Sequence, residues 1–429
     1  MKFIQSTTAE WQSWSRNIRL FFLANMLYQI GTGMFSVLYN LYIHELGYPD
    51  AMSGKVVSMQ SLATALCFIP IGLFGDRFSR KRLLVIGSLC SGIVLAARSL
   101  FESEGNLLTM AVLSGIFFAI LQVLAIPFLA ENIAKADRLR VFSIYSASVL
   151  ASQVAGSLGG GVIADTMQAA GINELLSLKL VLLIGSMATI AAFWPLLAIK
   201  ELNIAEKNTV QALEKDLASN QTAQSQSKNE FSFIAKFAAI QLMIGIGSGL
   251  VVPYLNLYFT NRFSISLSMM SLLLSLGQVM TIISMLIGPT LAGRVGQVKA
   301  IVIFQTLSLP FLLLTGFTNL LIVASISFLF RQALMNAANP LQSAILMDRV
   351  TARKQSLANS CMQTAFMLGW ATMGPVQSYI IATNGYYWGY AITFSITGAL
   401  YVSASMLFYF LFREKRSMRL RKNSKAATL

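Results

Sequence analysis

The chain is built from long apolar runs separated by short polar breaks. A helix needs about 20 predominantly apolar residues to cross the hydrocarbon core of a bilayer. Runs of this kind, numbered here as spans 1 to 12, lie near 18–43, 54–75, 82–101, 106–130, 140–164, 177–199, 233–259, 268–292, 298–316, 319–346, 358–382 and 386–412. Hydrocarbon offers no hydrogen bonds to the backbone, so each run must fold as a helix. The sequence therefore predicts an all-α membrane protein with twelve transmembrane helices.

Composition excludes the soluble classes of protein. The chain is 55% hydrophobic and only 11% charged, with a mean hydropathy of +0.65, whereas soluble domains carry about 25% charged residues. The net charge of +15 does not indicate nucleic-acid binding, because the basic residues cluster in the breaks between the spans rather than on one soluble face. Three cysteines without paired spacing indicate neither a disulfide framework nor a metal site.

The distribution of lysine and arginine predicts the orientation in the bilayer. Basic residues are concentrated on the side that also holds the N-terminus, for example at 77–82, 135–140 and 413–425. The opposite side receives only Lys55, Arg98, Lys179 and Arg262. Positive charge is retained on the cytoplasmic side, so we expect a multi-pass protein of a bacterial cytoplasmic membrane with both termini in the cytoplasm. The polar N-terminus lacks the apolar core of a signal peptide, and span 1 is expected to remain in the mature protein.

One break is much longer than the others and divides the chain. Residues 200–232 are charged and polar, which is typical of a flexible linker. The sequence thus predicts an N-terminal six-helix bundle at 1–199, this cytoplasmic linker, a C-terminal six-helix bundle at 233–412 and a basic cytoplasmic tail at 413–429.

The two predicted bundles share an internal repeat. Residues 30–33 and 40–42 recur at 246–249 and 256–258, an offset of 216 residues. The tripeptide Ala-Asp-Arg at 136–138 has a partner, Met-Asp-Arg, at 347–349. We therefore expect the two bundles to be pseudo-symmetric.

The break between spans 2 and 3 reads Gly-Leu-Phe-Gly-Asp-Arg-Phe-Ser-Arg-Lys-Arg at 72–82. It resembles the connection between the second and third helices of the major facilitator superfamily, where the pattern is Gly-x-Leu-small-Asp-Arg-x-Gly-Arg-Lys. The matching residues are Gly72, Gly75, Asp76, Arg77, Arg80 and Lys81, whereas phenylalanine and serine replace the family's leucine and second glycine at 74 and 79. Together with the repeat, the resemblance covers nearly the whole chain. It implies two parallel six-helix repeats with a substrate site between them near the bilayer midplane.

The resemblance also implies a cytoplasmic gate. Asp76 would lie against the N-terminal end of span 11, where a helix dipole favours an anion. Arg80 would pair with an acid at the inner end of span 4, and Glu131 is the acid available there. The candidate gate residues are Gly72, Asp76, Arg77, Arg80, Lys81 and Glu131. Lys81 also fits the alternative interpretation as a simple topology signal.

The resemblance places spans 1, 4, 7 and 10 around the central cavity. Polar residues in lipid-embedded helices are costly and normally face the protein interior. The candidate cavity residues are Tyr28, Gln29 and Thr32 in span 1, Gln122 in span 4, Gln241 and Ser248 in span 7, and Arg331, Gln332, Met335, Asn336 and Asn339 in span 10. The alternative is that these side chains join helices through interhelical hydrogen bonds.

Arg331 is the most specific single candidate among them. It lies near mid-depth in span 10, where an arginine costs about 2.5–3.5 kcal/mol on insertion scales. No acidic residue occurs in the middle of any predicted span. Arg331 therefore either binds an anionic group of a substrate or is satisfied by neighbouring carbonyls and amides such as that of Asn336.

Function follows from what the sequence carries and from what it lacks. There is no catalytic cluster and no phosphate-binding Gly-Lys-Ser/Thr motif, so we expect neither an enzyme nor a cofactor. The prediction is a secondary active transporter, monomeric in the bilayer, with a small-molecule substrate and possible proton coupling. A partial match at 155–160 to the span 5 pattern of drug exporters favours proton-linked export of amphipathic compounds, although close helix packing explains those glycines equally well. The alternative is a carrier for a polar or anionic metabolite anchored by Arg331.

Overall fold

The structure, a computed structural model, describes residues 14–200, 223–265 and 267–413. Within these ranges the chain forms helices and connections, with no β-strand. Most of the predicted linker and nearly all of the predicted basic tail lie outside the described residues.

Spans 1 to 6 are helices joined by short connections. Their observed bounds are Arg16–Glu45, Asp50–Arg77, Arg80–Leu100, Glu104–Asn132, Arg138–Ala169 and, for span 6, Glu174–Ala191 followed by Phe193–Leu197. Each is long enough and apolar enough to cross a membrane.

Spans 7 to 12 are less regular. Span 7 comprises Ala223–Val251, a 3₁₀ turn at Val252–Tyr254 and Leu255–Phe263. Spans 8, 9 and 10 are Leu267–Val295, Gln297–Phe317 and Leu321–Arg349, and a 3₁₀ turn at Ala352–Lys354 follows. The remaining helices are Gln355–Thr372 and Gly374–Phe412.

The helix Gly374–Phe412 contains a chain reversal at Gly385. This glycine has a φ of 71°, a left-handed conformation that costs glycine little. A Cβ placed on Gly389 would lie 2.8 Å from the Cα atom of Ile381, although eight residues of straight helix extend about 12 Å. The chain therefore folds back, so span 11 ends and span 12 begins at Gly385. In the described part of the chain, the eleven apolar segments long enough to cross a membrane thus contain twelve crossings, which confirms the predicted fold class.

Contacts divide the chain into two compact units. Unit 1 comprises Met1–Ala235 and Ser343–Met367, and unit 2 comprises Lys236–Gln342 and Leu368–Leu429. The ends of spans 10 and 11 that adjoin the Ala352–Lys354 turn thus group with unit 1. The boundaries of the two bundles drawn from the sequence stay a prediction.

In unit 1, glycines bring span 1 close to span 5. A Cβ on Gly156 would overlap the carbonyl oxygen of Ile30, and a Cβ on Gly33 would overlap that of Gln153. Helices in lipid gain little from hydrophobicity against each other, so small residues that permit close van der Waals contact stabilise their association.

Unit 2 repeats this packing between spans 7 and 11. A Cβ on Gly369 would lie 2.5 Å from the backbone nitrogen of Ile246, and one on Gly249 would lie 2.7 Å from the carbonyl oxygen of Trp370. Ile246 and Gly249 are the repeat partners of the span 1 residues at 30 and 33. The sequence repeat therefore corresponds to a repeated helix contact.

Candidate functional site

Asp76 lies at the N-terminal end of the helix Gln355–Thr372. One carboxylate oxygen accepts a hydrogen bond from the backbone N–H of Ser356 at 2.9 Å, and the other from that of Leu357 at 2.8 Å. The first N–H groups of a helix have no partner within the helix, and its dipole favours a negative charge there. Asp76 of span 2 thus caps span 11, in the position that the resemblance implies.

Arg80 is buried beside Asp76, with 6% of its side chain exposed. It donates to the Asp76 carboxylate at 3.1 Å, to Ser356 Oγ at 3.0 Å and to the carbonyl oxygen of Ala352 at 2.6 Å. The carboxylate of Glu131 lies 3.6 Å from the same guanidinium. Burying a charge is costly unless it is paired and hydrogen-bonded, and Arg80 meets both conditions.

The remaining gate candidates have different environments. A Cβ on Gly72 would overlap Ser360 Oγ, so glycine permits the close approach of spans 2 and 11. Arg77 is exposed and Lys81 is half-buried. The buried network therefore contains Asp76, Arg80 and Glu131, whereas Arg77 and Lys81 lie outside it.

A second ion pair at the same end of unit 1 was missed by the sequence analysis. Arg138 donates to the carboxylate of Asp348 at 2.8 Å and to the carbonyl oxygen of Ala130 at 2.7 Å. The sequence did contain a signal for this ion pair, because residues 136–138 and 347–349 are repeat partners. The repeat does not reveal that the arginine of one copy pairs with the aspartate of the other.

The cavity candidates of unit 1 fall into two groups. Tyr28 and Thr32 line a cavity of about 210 Å³ inside this unit. Gln29 instead pairs with Gln153, whose amide nitrogen donates to its Oε1 at 3.0 Å. Gln122 is half-buried and is not among the residues that line this cavity.

Three candidates of unit 2 form contacts between helices. Gln241 donates to Gln342 at 2.8 Å, and Ser248 shares a hydrogen bond of 2.8 Å with the Tyr401 hydroxyl. The sulfur of Met335 lies 3.9 Å from Ser308 Oγ. These contacts agree with the alternative interpretation, in which polar side chains join helices.

The polar side chains of span 10 form hydrogen bonds along their own helix. Asn336 donates to the backbone carbonyl of Gln332 at 2.9 Å, and Asn339 donates to the side-chain oxygen of Asn336 at 3.2 Å. Asn339 is exposed, while Gln332 and Asn336 are half-buried. This face of unit 2 therefore presents neutral amide groups.

Arg331 is 5% exposed and donates to the Tyr401 hydroxyl at 3.0 Å. A guanidinium can only donate, so Tyr401 accepts this bond. The Tyr401 hydroxyl also shares a hydrogen bond with Ser248, in which either oxygen can be the donor. The Nε–H of Arg331 is buried and has no partner in the described part of the chain. Asn336, the partner that the sequence suggested, donates to its own helix instead.

No resident metal centre is indicated where the chain is described. Within 14–200, 223–265 and 267–413, no three His, Cys, Asp or Glu side chains come together in a way that could hold a metal ion.

Within the described residues, twelve membrane crossings and a buried charge network at the helix ends are the features expected of a membrane transporter. The sequence profile described as Major Facilitator Superfamily matches residues 21–234 and 237–428, and the chain belongs to this family. The protein is therefore a multi-pass membrane transporter.

Known proteins similar to this chain differ in what they carry. The multidrug resistance efflux pump PmrA of Streptococcus pneumoniae is 25% identical over 194 residues, which cover 44% of this chain and 46% of the pump. Among solved structures, the human organic anion transporter MFSD10 has a TM-score of 0.71 at 14% identity, covering 92% of this chain and 99% of that one. The Escherichia coli fucose:proton symporter FucP has a TM-score of 0.71 at 12% identity, covering 91% and 98%. The structural likeness establishes the shared fold and leaves the cargo to be argued from the residues.

Proposed function

We propose that the protein is a secondary active transporter that works by alternating access and carries a small molecule bearing an anionic group. The observation that carries this proposal is the environment of Arg331. Its guanidinium is buried, donates to a neutral hydroxyl and keeps an unpartnered N–H within the described part of the chain.

The electrostatics of this site favour an anionic cargo. Burying a cation away from water is costly unless an opposite charge or a full set of hydrogen bonds compensates it. Tyr401 and Ser248 supply dipoles but no charge, and none of the ion pairs in the described ranges includes Arg331. A carboxylate or phosphate could take two parallel N–H bonds from the guanidinium and neutralise it. We infer that the cargo supplies this group.

A second candidate function is proton-linked export of small amphipathic compounds. The likeness to PmrA, a multidrug resistance efflux pump, favours it. Only the first candidate requires an anionic group on the cargo, so an assay with matched anionic and cationic cargo distinguishes the two.

The test is transport by the purified protein in proteoliposomes, with counterflow of labelled mono- and dicarboxylates and sugar phosphates. We expect saturable transport of at least one anion. Arg331→Lys should weaken its affinity by about tenfold or more, because lysine lacks the bidentate fork, and Arg331→Gln should abolish saturable transport. Arg262→Gln is the matched control, since Arg262 of the same unit bonds Thr318 and Asn319 at the end of span 7.

Two outcomes would contradict this assignment. Unchanged affinity in Arg331→Gln would exclude Arg331 as the anchor. Saturable transport of ethidium, with no transport of any anion, would favour the second candidate. Melting temperatures measured in parallel identify a structural role, because a structural arginine should lower stability and impair every cargo equally.

We also propose that both termini face the cytoplasm, with the Asp76 end of unit 1 on that side. In a variant without native cysteines, Ala136→Cys should react with an impermeant maleimide only after cells are permeabilised. Ser103→Cys at the opposite helix ends should react in intact cells. Both positions are exposed, so accessibility reports sidedness rather than burial. Labelling of Ala136→Cys from outside intact cells would reverse the orientation inferred from the lysine and arginine bias.

A further inference from the structure

A further buried arginine, Arg98, lies in unit 1, where the sequence indicated only a residue of the outer side. Arg98 is two residues from the end of span 3 and is 4% exposed. Its Nη1 donates to Gln60 at 2.9 Å and to Ser114 at 3.0 Å, and its guanidinium carbon lies 4.0 Å from the centre of the Tyr39 ring. All of these groups are neutral.

No carboxylate compensates Arg98 in the described part of the chain. The residues that line the adjoining cavity come from spans 1 to 5 and include no aspartate or glutamate. The two acids in the nearest connection have other partners: Glu102 lies 2.8 Å from Lys179, and Glu104 lies 3.5 Å from Lys55. The hydrogen bond from Lys179 lowers the pKa of Glu102, which keeps that carboxylate ionised and paired with the lysine.

Arg98 also keeps an unused donor. Its Nε–H is buried and has no partner among the described residues. Leaving a buried donor unsatisfied is unfavourable, and more so when the group is charged. The Tyr39 ring provides a cation–π contact, which brings no negative charge. The uncompensated charge therefore favours an anion beside Arg98.

The volume of the cavity limits the size of that anion. Its volume is about 210 Å³, and Arg98 lines it together with Tyr28, Thr32 and Ser91. Drug-sized ligands occupy pockets of about 300–1,000 Å³. The cavity suits a small carboxylate rather than a drug-sized molecule.

We propose that this cavity of unit 1 is a binding site for a small carboxylate, which pairs with Arg98 while Gln60 and Ser114 position the guanidinium. All its lining residues belong to unit 1, so the site is distinct from Arg331 of unit 2. This proposal goes beyond the proposed function, because the site binds an anion whether or not that anion is transported.

The test measures binding of sodium acetate and sodium succinate to the purified full-length chain by calorimetry and thermal shift. Sodium chloride at equal ionic strength is the reference. An Arg331→Gln background removes the contribution of unit 2. In this background we expect saturable binding and a rise in melting temperature with carboxylate concentration. Adding Arg98→Gln should abolish both, and adding Arg98→Lys should weaken affinity by about tenfold or more.

A cavity-filling variant covers the case in which the arginine variants fail to fold. Ser36 lines the cavity, is exposed and bonds only its own helix in the described structure, so Ser36→Leu should fold. It retains Arg98 and should remove one carboxylate site per chain in calorimetry of the otherwise natural protein.

Any one of three results would overturn the proposal. The first is the absence of saturable carboxylate binding, and the second is binding that chloride reproduces at equal ionic strength. The third is binding that survives both Arg98→Gln and Ser36→Leu. Failure of the proposed function gives a different result, in which no anion is transported although carboxylate binding still depends on Arg98.

Discussion

Replacing Asp76 by asparagine is expected to reduce transport by at least about tenfold while leaving the protein folded in the membrane. Both carboxylate oxygens accept backbone N–H groups of span 11 at 2.8–2.9 Å. Asparagine keeps the shape but replaces one acceptor with a donor, which would face another donor. It also removes the charge that the helix dipole favours, and hydrogen bonds to charged groups contribute about 1.5–3 kcal/mol each.

Two measurements examine this expectation. The first is the initial transport rate in proteoliposomes at matched protein content. The second needs no cargo: Ser360→Cys, buried where span 11 meets Gly72, should be alkylated faster when Asp76→Asn is also present. Arg77→Gln is the matched control, because Arg77 is the exposed charge next in the chain. Wild-type transport and labelling in Asp76→Asn would show that the contact has no gating role.

Substituting alanine for Gly156 is expected to destabilise unit 1 more than any other single methyl addition to the glycine-rich part of span 5. Its Cβ would overlap the carbonyl oxygen of Ile30, which is backbone and cannot rotate away. Overpacking of this kind typically costs about 1–3 kcal/mol. The gain in helix propensity from glycine to alanine, about 1 kcal/mol at most, does not offset it. The melting temperature of the purified protein should therefore fall.

The same stretch provides the control. Gly159 lies one turn further along span 5, and a Cβ there meets no atom within 4 Å. Gly159→Ala should leave the melting temperature unchanged or raise it slightly, because only the propensity changes. Equal losses in both variants would show that the glycines serve flexibility rather than close packing. The result also bears on the partial match of residues 155–160 to the drug-exporter pattern. It distinguishes a glycine that is needed for close helix packing from one that is not.

The fold was predictable because it depends on local properties of the chain. Apolar run length fixes each crossing, and even the shortest connection, at Gly385, fell between two predicted spans. The position of Asp76 was also predictable, but only because its motif resembles a known family. Neither inference required knowledge of which helices touch.

The contacts of Arg98 and Arg331 were not predictable, because they depend on residues distant in sequence. Arg98 was assigned to the outer side since it lies near the end of an apolar run, where long side chains commonly reach the interface. Its burial comes from Tyr39, Gln60 and Ser114, which belong to three other helices. The Tyr401 partner of Arg331 was not predictable for a similar reason, because it lies 70 residues away on span 12.

The reversal at Gly385 constrains how the chain is made. Residues 374–412 contain no long polar segment, because only Thr383 and Asn384 precede Gly385 at the turn between the last two crossings. If span 11 entered the membrane alone, the apolar residues of span 12 would stay in water until their synthesis was complete. Pairing the two inside the insertion machinery avoids this exposure, so we expect them to enter the lipid together as a helical hairpin. A single glycine thereby returns Phe412 to the side from which span 11 began.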